Sequence, residues 1–168
     1  MKARLLGTAL ASAVVLASLS ACQTISTPPF QDRYYDSQAT IPLVRGAAQQ
    51  GTWQTFDMVV DYRYLADGSI EVSGTAALGR HYQDLYVRLR TLDLYLFLLD
   101  DAAMVLKSRK IGQALATGTD TVLSFAETMP LPPDASQLAF GYEGRVLTNG
   151  PGSGGIDWFY KLPLSRTP

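Results

Sequence analysis

Apolar and polar residues alternate along the chain from about position 56, which is the pattern expected of half-buried β-strands. In the first stretch the apolar residues occupy even positions: Phe56, Met58, Val60, Tyr62 and Tyr64. The same parity resumes after Asp67-Gly68, at Ile70, Val72, Ala76 and Leu78. The two stretches therefore predict a β-hairpin with one buried face.

The loop of this hairpin decides which residues face each other. A three-residue loop over 66–68 keeps the two apolar faces together, because it pairs Tyr64 with Ile70 and Arg63 with Glu71. This is the loop in which a type I turn is followed by a glycine in the left-handed conformation. We therefore predict that the loop glycine has a positive φ.

A second block of alternation runs from Leu85 to Leu99. Its apolar parity shifts by one between Leu89 and Leu92, which predicts a β-bulge or bend. The later part is apolar at nearly every position, as in a central strand. Leucines at heptad spacing would also suit a helix, whereas the β-branched and aromatic residues favour a strand. The sequence leaves both possibilities open and favours the strand.

Four more stretches have the character of strands, at residues 104–111, 122–126, 138–146 and 156–162. In the last of them we assign the parity of Trp158 and Tyr160 to the core, which turns Phe159 outward. An outward aromatic residue on a strand near the chain end is a candidate anchor for a partner. Phe159 is therefore the candidate partner-binding residue.

These seven short strands, separated by turn signals and with no clear helix, predict an all-β fold. We expect a single antiparallel β-sandwich of two sheets, with a small β-barrel as the alternative. The chain of 168 residues has the size of about one domain.

The N-terminus has a different composition. Lys2 and Arg4 precede an uncharged stretch, residues 5–21, that is rich in Ala, Leu and Val, as in a secretory signal. The stretch ends in Leu19-Ser20-Ala21-Cys22, which resembles the lipobox of bacterial lipoproteins. This resemblance implies cleavage before Cys22 and attachment of diacylglycerol to its thiol, with fatty acyl chains such as palmitate. Gln23, the residue after Cys22, is similar to the residues found there in lipoproteins sorted to the outer rather than the inner membrane. The alternative for the uncharged stretch is an uncleaved transmembrane helix.

The expected organisation has three parts. Residues 1–21 form a lipoprotein signal peptide, and residues 22–50 form a lipidated Cys with a flexible tether, because they show no sustained period and contain three Pro. Residues 51–168 form the β-sandwich domain. Loss of Lys2 and Arg4 leaves a mature charge of −3, so we expect no nucleic-acid partner.

The stretch from Ile70 to Val146 is similar to the immunoglobulin-like modules of bacterial lipoproteins, including the FxLYD type. The similarity rests on a strand that ends in Gly74, a long aliphatic strand that closes on Asp100-Asp101, a return strand, and a strand with Phe125. It implies an immunoglobulin-like β-sandwich.

Candidate chemistry is sparse. The chain has one Cys and one His, which excludes a disulfide framework and a Cys/His zinc cluster. His81 lacks a Gly-x-Ser-x-Gly partner motif and is interpreted as a solvated loop residue. Asp100 and Asp101 suit a turn better than a calcium site, and the Gly-rich segment 149–155 lacks the Lys-Ser/Thr ending of a phosphate-binding loop. We predict no catalytic residue, cofactor or metal.

The expected function is therefore that of a non-enzymatic interaction or assembly module, held in the cell envelope by lipid on Cys22. We expect an envelope protein as its partner. A carrier of lipid or a small molecule is the alternative, and an envelope hydrolase is a weaker one. A filled interior would disfavour the carrier.

Overall fold

The computed structural model describes residues 30–148 and 156–163. Nine strands are present in this part of the chain: β1 (Ile41–Pro42), β2 (Gln49–Gln54), β3 (Met58–Asp67), β4 (Ser69–Leu78), β5 (Tyr86–Leu99), β6 (Val105–Thr117), β7 (Val122–Pro130), β8 (Gln137–Thr148) and β9 (Ile156–Lys161). A single turn of 3₁₀ helix, Ser37–Ala39, precedes β1, and one α-helix, α1 (Arg80–Leu85), lies between β4 and β5.

The strands form two antiparallel sheets. One has four strands in the order β2-β3-β4-β7, and the other has five, with β5 between β6 and β8. Two short strands share the remaining edge of β8, because β1 pairs with its beginning and β9 with its second half. The two sheets do not close into a barrel. The prediction of an all-β sandwich is confirmed, and the alternative of a small barrel is wrong.

The first hairpin has the predicted parity and a shifted register. Even-numbered residues of β3 and β4 are buried or partly buried, and Gly68 has a φ of 70°, as predicted. Tyr64 pairs with Val72 and Arg63 with Ser73, two residues from the predicted partners. A shift of two leaves every side chain on the same face, because the side-chain period of a strand is two. The predicted three-residue loop is therefore wrong, whereas the predicted buried face of the hairpin is correct.

β5 is a strand, as favoured, and it lies in the middle of its sheet. Its pairing with β8 shifts register between Leu89 and Thr91, where the sequence predicts a bulge. The residues from 94 to 99 are all buried, as expected of a central strand. The beginning of this block differs from the prediction: Leu85 ends α1 and is 54% exposed. A helix of six residues is too short to show a period in the sequence.

Apolar side chains fill the space between the two sheets. The largest residues of this main core that are almost fully buried include Tyr64, Tyr142, Phe140, Met58, Ile70, Leu94 and Leu96. A second core lies on the outer face of the five-stranded sheet, around Tyr35, Tyr95, Phe97, Leu99, Ala103, Val105 and Ala139. Phe97 has room there because Gly141, on the neighbouring strand, has no side chain: a Cβ at Gly141 would collide with the Phe97 ring.

Residues 30–39, here called the strap, cover this second core. Phe30 packs edge-on against the rings of Tyr95 and Phe97, with centroid distances of 5.3 and 5.4 Å. The Tyr35 hydroxyl donates to the carbonyl of Phe140. The backbone of the strap exchanges hydrogen bonds with Val105 at one edge of the sheet.

The chain then continues from the strap into β1 and β2, so the described residues before 51 belong to the folded body. The prediction of a flexible tether is wrong for residues 30–50. A segment that crosses the face of a sheet once packs against it with only a few side chains, here those of Phe30 and Tyr35. Its sequence therefore shows no sustained alternation of apolar and polar residues. The predicted signal peptide, Cys22 and Gln23 lie outside the described residues.

Candidate functional site

Strand β9 is oriented opposite to the prediction. Phe159 is 3% exposed, whereas Trp158 and Tyr160 are each 59% exposed. The assignment of Phe159 as an outward partner-binding residue is therefore wrong. Its ring belongs to the main core and lies 5.0 Å from the ring of Tyr82 and 5.9 Å from that of Tyr142.

A glycine on the neighbouring strand explains this orientation. Gly144 of β8 pairs directly with Phe159, and a Cβ at Gly144 would collide with the Phe159 ring. The ring occupies the space that the missing side chain leaves, on the inner side of the sheet. Since side chains alternate along a strand, Trp158 and Tyr160 then point outward.

The outward residues of β9 form an open surface with those of β8, β5 and β6. We call it the Trp158 face; it comprises Thr91, Asp93, Gln113, Leu115, Glu143, Arg145, Ile156, Trp158 and Tyr160. Seven residues, six of them also in this set, line a cleft of about 270 Å³ that ends at Trp158. The face is the half of the outer sheet surface that the strap leaves uncovered.

Trp158 is held in position by Arg145. The two residues are paired across β8 and β9, and the guanidinium carbon lies 3.5 Å from the centre of the indole ring. A planar guanidinium stacks well on an aromatic ring and keeps its charge. Within the described residues Arg145 has no ion pair with a carboxylate. The pair therefore presents a fixed indole and a cation side by side.

The two carboxylates of the face have hydrogen-bond donors of their own. Asp93 accepts from Lys110 Nζ at 3.0 Å and from Gln113 Nε2 at 2.9 Å. Glu143 accepts from the Tyr95 hydroxyl at 2.9 Å. Burial, and then this bond to Glu143, raise the pKa of Tyr95. Asp93 is thus paired with a cation, whereas Glu143 has a neutral donor and keeps its negative charge.

The opposite side of the sandwich, the outer surface of β2, β3, β4 and β7, is here called the far face. A groove of about 450 Å³ runs along it, lined among others by Ala48, Arg63, Leu65, Glu71, Ser73 and Thr128. Its lining mixes apolar and charged residues. The exposed Trp158 and Tyr160 lie on the other side of the molecule.

His81 lies on α1 and is exposed. Its ring contacts are aromatic, with Phe56 at 4.8 Å and Tyr82 at 5.6 Å between centroids. Burial, followed by the nearby Asp57, raises the pKa of Tyr82. In the part of the chain that the structure describes, no group of three or more His, Cys, Asp or Glu side chains is placed to hold a metal ion.

Other candidates from the sequence have structural roles. Asp100 closes the turn between β5 and β6, because its Oδ1 accepts from the backbone N–H groups of Ala102 and Met104; the turn interpretation is confirmed. On β6, Arg109 pairs with Glu127 at 3.2 Å and Lys110 with Asp93 at 3.0 Å. The Gly-rich segment 149–155 lies outside the described residues.

Sequence reasoning assigned Trp158 and Tyr160 to the core and therefore missed them as surface residues. The one signal that pointed to them is the pair of glycines in β8, Gly141 and Gly144. A glycine in a strand interior often marks a place where a neighbouring group approaches closely, and here an aromatic ring does so on each side of the sheet.

Among residues 30–148 and 156–163, no helix has the length and apolar character needed to span a bilayer. Comparison of the chain with protein-family models, with curated proteins and with solved structures finds no significant match.

Proposed function

We propose that the chain is a lipid-anchored, non-enzymatic interaction module of the cell envelope, held at the outer membrane by Cys22. The observation that carries this proposal is the Trp158 face. It combines a 59% exposed indole and a 59% exposed phenol with an adjacent cation on a rigid sheet. Trp, Tyr and Arg are the side chains most often found at the energetic centre of contact surfaces.

The anchor is supported by the sequence. The uncharged stretch after Lys2 and Arg4 ends in Leu19-Ser20-Ala21-Cys22, and Cys22 is the only Cys of the chain. Two or three acyl chains bind a bilayer stably where one does not. The anchored part would be the chain from Cys22 onward.

The packing of the interior supports an interaction module over a carrier. Side chains from both sheets meet in the main core, and many of them are fully buried. Three clefts lined by described residues lie on the outer faces of the sheets. A ligand would therefore bind on the surface.

Metabolic labelling with palmitate tests the anchor. Cys22→Ser should reduce labelling to background, because a hydroxyl does not replace the thiol in acyl transfer. The matched control is the double variant Cys22→Ser/Ser26→Cys, which restores a thiol outside the lipobox and should also stay at background. Undiminished labelling of Cys22→Ser would contradict the anchor.

Oxidative footprinting tests the contact surface. Trp158 should react more slowly in intact envelopes than in the detergent-solubilised chain, because a binding partner covers it. Leu65, on the far face and 40% exposed, provides the comparison within the same sample. Equal reactivity of Trp158 in both preparations would contradict a contact role for the Trp158 face.

A further inference from the structure

We infer that the Trp158 face lies against the phospholipid headgroup layer of the membrane that carries the anchor. The inference rests on the proposed attachment of lipid to Cys22. Its basis is the short length of chain between that residue and the strap, together with the place where the strap begins.

Phe30 is the eighth residue after Cys22. Eight residues of fully extended chain span at most about 28 Å. The expected tether of residues 22–50 would have reached about 100 Å at the same rise per residue. Because the strap packs on the sheet, the acylated residue is confined to the neighbourhood of Phe30, close to the body of the domain.

Phe30 sits on the outer face of the five-stranded sheet, over Tyr95 and Phe97. Trp158 of β9 pairs with Arg145 of β8, and Arg145 pairs with Thr91 of β5. Thr91 is four residues from Tyr95 along β5. With a rise of about 3.4 Å per residue and about 4.8 Å between strands, Trp158 lies about 17 Å from Tyr95. The Trp158 face is thus well within the reach of the anchor.

The far face is close to the limit of that reach. A path from Phe30 to the far face runs around the edge of the sheet. It covers at least one strand spacing, the distance of about 10 Å between the two sheets, and the side-chain layer on each outer face. Together these lengths amount to about 30 Å. An anchored chain of eight residues has no slack for such an arrangement. The bilayer therefore lies on the strap side of the domain.

The chemistry of the Trp158 face suits phospholipid headgroups. Trp and Tyr are enriched at membrane–water interfaces, since each combines an apolar ring with a polar group. Arg145 offers a cation to the headgroup phosphates, and Asp93 and Glu143 are already bonded to Lys110, Gln113 and Tyr95. The ion pair with Lys110 offsets the charge of Asp93, one of the two carboxylates of this surface.

Tryptophan fluorescence of the full lipidated chain tests the inference. The chain has two tryptophans, the exposed Trp158 and the buried Trp53. The protein is reconstituted in vesicles of phosphatidylethanolamine and phosphatidylglycerol, and flotation establishes its attachment. Nitroxide-labelled headgroups should quench most of the Trp158 emission, obtained as the difference between the parent and Trp158→Phe, and little of the Trp53 emission.

A tryptophan on the far face provides the matched control. Leu65→Trp in the Trp158→Phe background places an indole at an exposed position of the opposite sheet, and its emission should resist the same quencher. Floated vesicles in which Trp158 is no better quenched than the indole at position 65 would overturn the inference while leaving the anchor in place.

Two further outcomes separate the causes of failure. If Trp158 is shielded in native envelopes and unquenched in protein-free vesicles, a protein covers the Trp158 face and the inference is wrong. If the parent chain does not float with the vesicles, the proposed anchor is wrong and the inference falls with it.

Discussion

On the outer face of the five-stranded sheet, the half around Phe97 lies under the strap, whereas the half around Trp158 is open to solvent. Both halves contain β5, β6 and β8, whereas β1 flanks the covered half and β9 the open one. Tyr95 stands at the boundary: its ring packs on Phe30 and Phe97, and its hydroxyl donates to Glu143. The two halves therefore share three strands and differ in their edge strand and in what covers them.

The side chains of the two halves reflect this difference. The covered half carries apolar residues and a glycine that makes room for the Phe97 ring. The open half carries charged and amide groups between its exposed aromatic residues. Aromatic residues serve as core on one half and as contact surface on the other, so their role depends on the remote segment that packs over them.

The largest expected effect separates the inward from the outward aromatic residues of β9. Phe159→Ala should lower the free energy of unfolding by about 3 to 5 kcal/mol, because it leaves a cavity in the main core. Trp158→Ala should lower it by less than about 1 kcal/mol, since it removes only an exposed ring and its stack on Arg145. Urea melts of the unlipidated Cys22→Ser chain measure both.

Equal losses from these two substitutions would contradict the orientation of β9. Tyr160→Ala, at the other exposed ring of the same strand, is the control and should also have a small effect. A large effect of both outward substitutions would show that the open half is covered by part of the chain and is no contact surface.

A smaller effect is expected at the strap. Tyr35→Ala should destabilise the fold by about 2 to 3 kcal/mol, through loss of ring packing on the second core. Tyr35→Phe keeps the ring and removes the hydrogen bond to the carbonyl of Phe140, which should cost about 1 kcal/mol. Urea melts give both values, and hydrogen exchange shows whether β5 loses protection around Phe97.

The two Tyr35 variants also test the status of residues 30–39. A flexible tether contributes nothing to stability, so a parent-like melt of Tyr35→Ala would show that the strap does not stabilise the domain. The covered half would then behave like the open half, and the comparison between them would fail.

How much of this fold the sequence predicts depends on what the alternation of apolar and polar residues can specify. Period two identified seven of the nine described strands, β3 to β9, and missed β1 and β2; a one-residue slip located the bulge between Leu89 and Thr91. The period does not say which of the two faces is buried, because both parities of β9 carry aromatic residues. The side of Phe159 is decided by Gly144, which lies on another strand.

The strap and the candidate surface were harder to predict for a related reason. Phe30 and Tyr35 are single apolar residues in a polar stretch, and their partners are distant in sequence. The Trp158 face is assembled from four strands, so no local pattern marks it. The resemblance of residues 19–22 to a lipobox is the opposite case, because it rests on consecutive residues and needs no tertiary structure.

The smallest expected effect concerns the ion pair that joins the two halves, between Asp36 of the strap and Lys161 of β9. The Lys161 Nζ lies 3.0 Å from Asp36 Oδ2, and the Asp36 side chain is 54% exposed. The hydrogen bond from Lys161, followed by that from the Gln38 N–H, lowers the pKa of Asp36 below its ordinary value of 3.8. Because the folded-state pKa is lowered, the pair stabilises the fold above the ordinary value, and its contribution disappears as the pH falls through the folded-state pKa.

Asp36→Asn removes the charge and keeps an oxygen for the Gln38 N–H. At neutral pH it should lower the free energy of unfolding by less than about 1 kcal/mol, as for other exposed pairs. In urea melts the difference from the parent should shrink with added salt and on acidification below the folded-state pKa of Asp36. A difference that stays constant across pH and salt would show that the strap is held at this edge by packing and hydrogen bonds alone, with no contribution from the charge of Asp36.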